Sequence, residues 1–137
     1  MAACDEARRL LIKAAEDEYV LERLLDDTKA PEAMVGFHAQ QAAEKLLKAA
    51  LFLAGTAPPR THNLAELADL AAASGLKLPA GCEALRWLTP YAVLYRYDGD
   101  ADEDEERLAR QEVRENLRKL RAWVEENLAL EEKPGHG

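Results

Sequence analysis

Apolar and polar positions recur along most of this chain with the period of an α-helix. Between Cys4 and Asp27, the residues Ala7, Leu10, Leu11, Ala14, Leu21, Leu24 and Leu25 keep helical spacing, with Arg, Lys, Asp and Glu between them. That pattern predicts a long amphipathic helix. Asp26 to Pro31 breaks it in a turn short enough to make the next helix its antiparallel neighbour. The second stretch, Phe37 to Leu53, carries small and apolar residues over more than half of its helical wheel, so a mostly buried central helix is predicted. Its remaining arc holds His38, Gln41, Lys45 and Lys48 at spacings of three and four, beside Gln40 and Glu44 and among Met34, Phe37, Leu51 and Phe52. A polar stripe flanked by large apolar side chains suits a seam against a second subunit or the wall of a pocket.

Gly55 suits the end of the central helix, and Pro58 and Pro59 hold the following connection extended. Asn63 followed by Glu66 is an N-terminal signature for a third helix that turns Leu64, Leu67, Leu70 and Ala71 inward and stops at Gly75. Leu85, Leu88, Ala92 and Tyr95 then keep helical spacing across Thr89-Pro90, where a proline is expected to kink or split the helix. From about Asp102 to Glu131, the residues Ala109, Val113, Leu117, Leu120, Val124 and Leu128 form one core-facing stripe, and residues 132–137 read as a tail. The expected fold is all-α: one up-and-down antiparallel bundle of four to five helices over residues 1–131.

Composition narrows the class further. The 137 residues suit one domain, and an apolar set dominated by Ala and Leu favours helix over strand. A formal charge of -8 argues against broad binding to nucleic-acid backbones, although Lys45 and Lys48 form a local basic patch. Cys4 and Cys82 are far apart and form no ligand pair, so neither a disulfide framework nor a zinc site is indicated. Without a signal-peptide pattern or a bilayer-length apolar run, the expectation is a soluble, cytoplasmic chain.

The blocks FHAQQAAEKLLKAALFLAG, RTHNLAEL and LTPYAVLYRY resemble the signature blocks of the HEPN domain family, the higher eukaryotes and prokaryotes nucleotide-binding domain. The Gln-Gln-Ala-x-x-Lys run in a central helix, followed by a glycine stop and a downstream Thr-His, is the most specific of them. The resemblance implies a four- to five-helix bundle that forms a homodimer and is often encoded beside a minimal nucleotidyltransferase, as a two-component or toxin-antitoxin-like module. Some branches of the family are metal-independent ribonucleases with Arg, four to six residues, then His. Here the histidines are His38, His62 and His136, and the positions where that Arg would stand are residues 31–33, 55–57 and 129–131. None of these is Arg, so the ribonuclease reading fails on its own motif. The chain also has Arg96-Tyr97-Asp98 where the family branch usually has Arg-Tyr-Pro.

The candidate binding residues are therefore Gln41, Lys45 and Lys48 on the central helix, Arg60 and His62 before the third, and Tyr91, Arg96 and Tyr97 near the fourth. Gln41, Lys45 and Lys48 suit a phosphate or a partner's acidic surface, and equally a dimer seam in which they pair with Glu44 or water. Arg60, His62 and the free amides at the start of the third helix form a local phosphate-site candidate, with structural capping as the alternative role for His62. Tyr91, Tyr95, Arg96 and Tyr97 suit base stacking or packing under the break at Pro90. The acidic run from Asp98 to Glu106 fails as a calcium loop, because Glu103 and Ala109 stand where Gly and Glu are needed. The expectation is a non-catalytic module, with no cofactor or metal, that binds a nucleotide such as ATP or GTP or a small nucleotidyltransferase partner. The alternatives are a ribonuclease toxin with a displaced site around His62 and Arg96, and a dimeric scaffold without a ligand.

Overall fold

A computed structural model describes residues 2–94 and 109–132. Its helices are α1 (Ala2–Leu25), α2 (Glu32–Leu53), α3 (Leu64–Ala73), a 3-10 helix (Cys82–Leu88), α4 (Tyr91–Leu94) and α5 (Arg110–Glu132). The all-α bundle expected from the periodicity is therefore what forms. α2 starts earlier than the apolar pattern indicates: Pro31 stands at its N-cap with φ -59°, and Glu32 occupies the first turn, where a negative charge suits the helix dipole. Thr89-Pro90 splits the fourth segment outright, leaving the 3-10 helix on one side and α4 on the other. The expected start of the last helix near Asp102, Tyr95 and the acidic run Asp98 to Glu106 lie outside the described residues.

α2 is the axis of the bundle. Ala39, Ala42, Ala43, Ala49 and Ala50 are buried along it, and their small side chains let the neighbouring helices pack close. Leu46 and Leu51 of α2, Leu64 and Leu67 of α3, and Leu120 of α5 are fully buried in the same core. Each such side chain contributes roughly 1.5–3 kcal/mol over leaving it in water. Of the stripe expected on the last helix, Val113, Leu117, Leu120 and Val124 are buried, Leu128 packs partly against the core, and Ala109 is exposed just before α5 begins.

α5 lies antiparallel to α1, and the two are joined by a ladder of charge. Arg121 meets Glu18, Arg118 meets Glu22, and Arg114 reaches Glu22 and Asp26. At the end of the ladder Arg110 donates to the carbonyls of Leu24, Leu25, Asp27 and Ala30 and to the Glu32 carboxylate. One guanidinium thus adds a donor to carbonyls at the end of α1 and in the following turn, two of which also accept backbone amides, and holds the turn into α2.

α2 and α3 end alike. Gly55 and Gly75 take left-handed φ values of 81° and 86°. The amides of Thr56 and Leu76 then reach back to the carbonyls of Leu51 and Ala71, closing a Schellman motif at each end. Thr56 Oγ1 and Ser74 Oγ are 2.7 Å apart, so the two helix ends sit side by side. The connection from Ala54 to Asn63 doubles back along α2, and α3 begins beside the middle of that helix. This return brings His62 against the polar edge of α2.

Candidate functional site

Two carboxylates organise the polar edge of α2. The first, Glu44, is almost enclosed, with 8% of its side chain exposed. Its Oε1 lies 2.7 Å from His62 Nδ1 and accepts from Gln40 Nε2 at 3.1 Å, while Oε2 accepts from Lys48 Nζ at 3.0 Å. Gln40 is fully buried; its amide also donates to the carbonyl of His62 at 3.0 Å, and its oxygen accepts from Gln41 Nε2 at 2.8 Å. Burial alone raises the pKa of Glu44, but the bonds from His62, Lys48 and Gln40, with the charge of Lys48, outweigh it and hold the carboxyl below its ordinary range.

Because a carboxylate only accepts, Nδ1 of His62 carries the proton in this contact. Nε2 is left for the outside, and the side chain is 68% exposed. The second carboxylate, Asp17 of α1, bridges to α2 through His38 Nδ1 at 3.2 Å and through the ammonium of Lys45. Lys45 and Lys48 are only 25% and 18% exposed, so their stems lie on the bundle and both charges are matched within the chain.

The structure thus brings Gln41, Lys48 and His62 into one network and ties Lys45 to a neighbouring one. Arg60 is exposed and has no ion pair among the described residues. The α3 amides that sequence offers to a phosphate are already used: Asn63 Oδ1 accepts from Ala65 and Glu66, and Thr89 Oγ1 accepts from Leu64 at 3.0 Å. Asn63 is therefore the cap of α3, and His62 turns to Glu44 instead. Tyr91 packs on Gly36, where an added Cβ would lie 2.1 Å from the ring. Arg96 and Tyr97 lie outside the described residues.

Sequence reasoning named Glu44 only as a partner for the stripe's Gln41, Lys45 and Lys48 and gave no role to Gln40 or Asp17. Gln40 and Glu44 fall on the polar arc of the wheel, yet the returning connection covers both. Their one legible signal is the ladder Gln40, Glu44, Lys48 at successive spacings of four. Asp17 is one acidic residue among many in α1, and nothing local marks it as the partner of His38 and Lys45.

Chemically, a solvent-facing imidazole backed by an enclosed carboxylate has the form of an acid-base pair. A phosphate holder is less evident, since both lysines are already paired. No group of His, Cys, Asp and Glu among the described residues could hold a metal ion, and no described helix is long and apolar enough to cross a membrane.

No curated protein and no solved structure matches the chain. The family model of the HEPN domain matches residues 7–127, which takes in most of α1, the polar edge of α2, the His62 connection and most of α5. This chain belongs to the HEPN domain family.

Proposed function

We propose that this HEPN chain is a non-catalytic binding module that receives a protein partner on the polar edge of α2. It would act as a homodimer, together with a small nucleotidyltransferase in a two-component, toxin-antitoxin-like system. One observation carries the preference for a protein over a nucleotide: Lys45 and Lys48 are already neutralised by Asp17 and Glu44. A triphosphate needs cations in surplus, and Arg60 is the one cation beside this edge that lacks a carboxylate among the described residues. A surface of matched charges bordered by Met34, Phe37 and Phe52 suits the polar and apolar mixture of a protein interface.

Light scattering of the chain alone, and after mixing with a minimal nucleotidyltransferase, tests this reading. A dimer that Lys48→Glu splits without loss of helicity supports it. A monomer that binds no nucleotidyltransferase overturns it. Melting curves with ATP or GTP address the nucleotide alternative, for which a shift lost in Lys48→Ala or Arg60→Ala is required. A dimer that binds neither protein nor nucleotide leaves the plain scaffold.

The 2.7 Å contact between Glu44 and His62 favours a second reading, the ribonuclease with a displaced site. RNA cleavage that disappears in His62→Ala would establish it; intact RNA after incubation with the purified chain counts against it.

A further inference from the structure

A cavity of about 420 Å³ opens between the C-terminal half of α3, the 76–81 loop and the 3-10 helix, and shares no residue with the polar edge of α2. Its volume falls in the range that accommodates small organic ligands. Ala68, Ala72, Leu76, Leu78 and Pro79 give it an apolar lining, and Arg86 stands on its wall.

The guanidinium of Arg86 is the unusual feature. Its Nε is buried and has no hydrogen-bond partner among the described residues, and its Nη2 is 3.7 Å from Asp69 Oδ1, beyond hydrogen-bond length. Asp69 is 76% exposed, so this ionic contact is weak and readily displaced. Arginine presents a planar fork of donors; Nε is enclosed, and the Nη end, occupied only by the weak contact with Asp69, is the part a ligand's acceptor can reach. The backbone beneath it is fixed, because the Arg86 carbonyl accepts both from the Thr89 amide at 3.2 Å and from Thr89 Oγ1 at 3.0 Å. The backbone that carries the anchor is therefore held in place before a ligand arrives.

Charge selects among anions. Asp69 and Glu83 line the cavity along with Lys77 and Arg86, so the formal charges cancel. A singly charged head leaves the site one charge negative, whereas a phosphate dianion leaves it two charges negative. The apolar lining asks for a hydrocarbon tail. We propose that this cavity binds a small aliphatic monocarboxylate, its head on the Arg86 guanidinium and its tail against Ala72, Leu76 and Leu78.

The test is a titration of the full-length, isotope-labelled chain with 4-methylvalerate, followed through its backbone amide resonances. Saturable shifts confined to residues 68–86 are expected, with affinity falling about tenfold or more for the neutral 4-methylvaleramide and in Arg86→Gln. Arg86→Lys keeps the charge but loses the fork, and is expected to recover only part of the affinity. L-leucine adds an ammonium group; binding equal to or tighter than that of the simple acid extends the site to amino acids with Asp69 or Glu83 as the second anchor, and still supports the Arg86 assignment. No saturable shift, equal affinity for acid and amide, or an unchanged affinity in a folded Arg86→Gln overturns the proposal.

Discussion

His62 Nδ1 rests 2.7 Å from Glu44 Oε1, joining the start of α3 to the middle of α2 through a carboxylate that has almost no contact with water. Glu44 has a definite pH signature. The folded-state pKa of Glu44 lies below the ordinary carboxyl value of 4.5, so its ionised form stabilises the fold. That contribution is complete above the unfolded value and fades as pH falls through the folded one. Glu44→Gln is expected to cost about 1–3 kcal/mol near neutral pH, as buried bonds to charged partners are weakened. The gap in stability between wild type and variant should narrow below pH 4.5. Denaturant melts of both proteins across that range check the sign, and a gap that stays constant contradicts it.

Arg121 and Glu18 give a different kind of test. Glu18 takes Nε at 2.9 and 2.7 Å through its two oxygens and Nη2 at 2.7 Å, while Nη2 also donates to the Leu11 carbonyl at 2.9 Å. The hydrogen bond to Glu18 raises the pKa of Arg121 against the opposing effect of desolvation. A double-mutant cycle of Arg121→Ala and Glu18→Ala is expected to give a coupling of about 1 kcal/mol or more. It should persist in high salt. The Arg118–Glu22 pair, with 65% and 37% of its side chains exposed, should lose most of its smaller coupling there.

Gly36 and Tyr91 are packed too closely for any side chain at position 36. A methyl group placed there would lie 2.1 to 2.5 Å from three ring carbons, so Gly36→Ala must displace the tyrosine or part the helices. Overpacking of this kind costs about 1–3 kcal/mol. Combining Gly36→Ala with Tyr91→Ala should cost less than the sum of the two single changes, because the clash goes with the ring. Thermal or chemical melts of the four proteins provide the check, and strict additivity would count against the contact.

Arg110 is expected to matter for the turn more than for the core. Its removal in Arg110→Ala leaves the carbonyls of Leu24, Leu25, Asp27 and Ala30 without their shared donor. Amide exchange should quicken at residues 26–32 by about tenfold or more, with much smaller changes at Leu46 or Leu120. Exchange that rises equally throughout the chain would point to global destabilisation instead.

The helices themselves were legible because each buries one periodic stripe, and Asn63, Gly55, Gly75 and Pro90 mark ends that local chemistry dictates. Gln41, Lys45 and Lys48 could also be picked out, since a polar row among large apolar residues is visible on a helical wheel. Of their partners only Glu44, one helical turn before Lys48, was legible. Asp17 is twenty-eight positions from Lys45, and His62 meets Glu44 only because the 54–63 connection turns back along α2. The same fold-back takes Gln40 and Glu44 out of solvent, where the wheel indicated a seam or pocket wall without saying what closes it. Arg110 was hidden for a related reason: apart from the Glu32 carboxylate its acceptors are backbone oxygens, which no side-chain pattern advertises.

Asp17 fastens one flank of α2 to α1, and His62 fastens the other to the start of α3. To roll about its long axis, α2 would have to release both attachments together. The outline it offers a visitor is consequently set before any encounter. If the proposed partner docks on this edge, discrimination should therefore come from a match of contours, with affinity differences appearing mainly in how long the complex lasts.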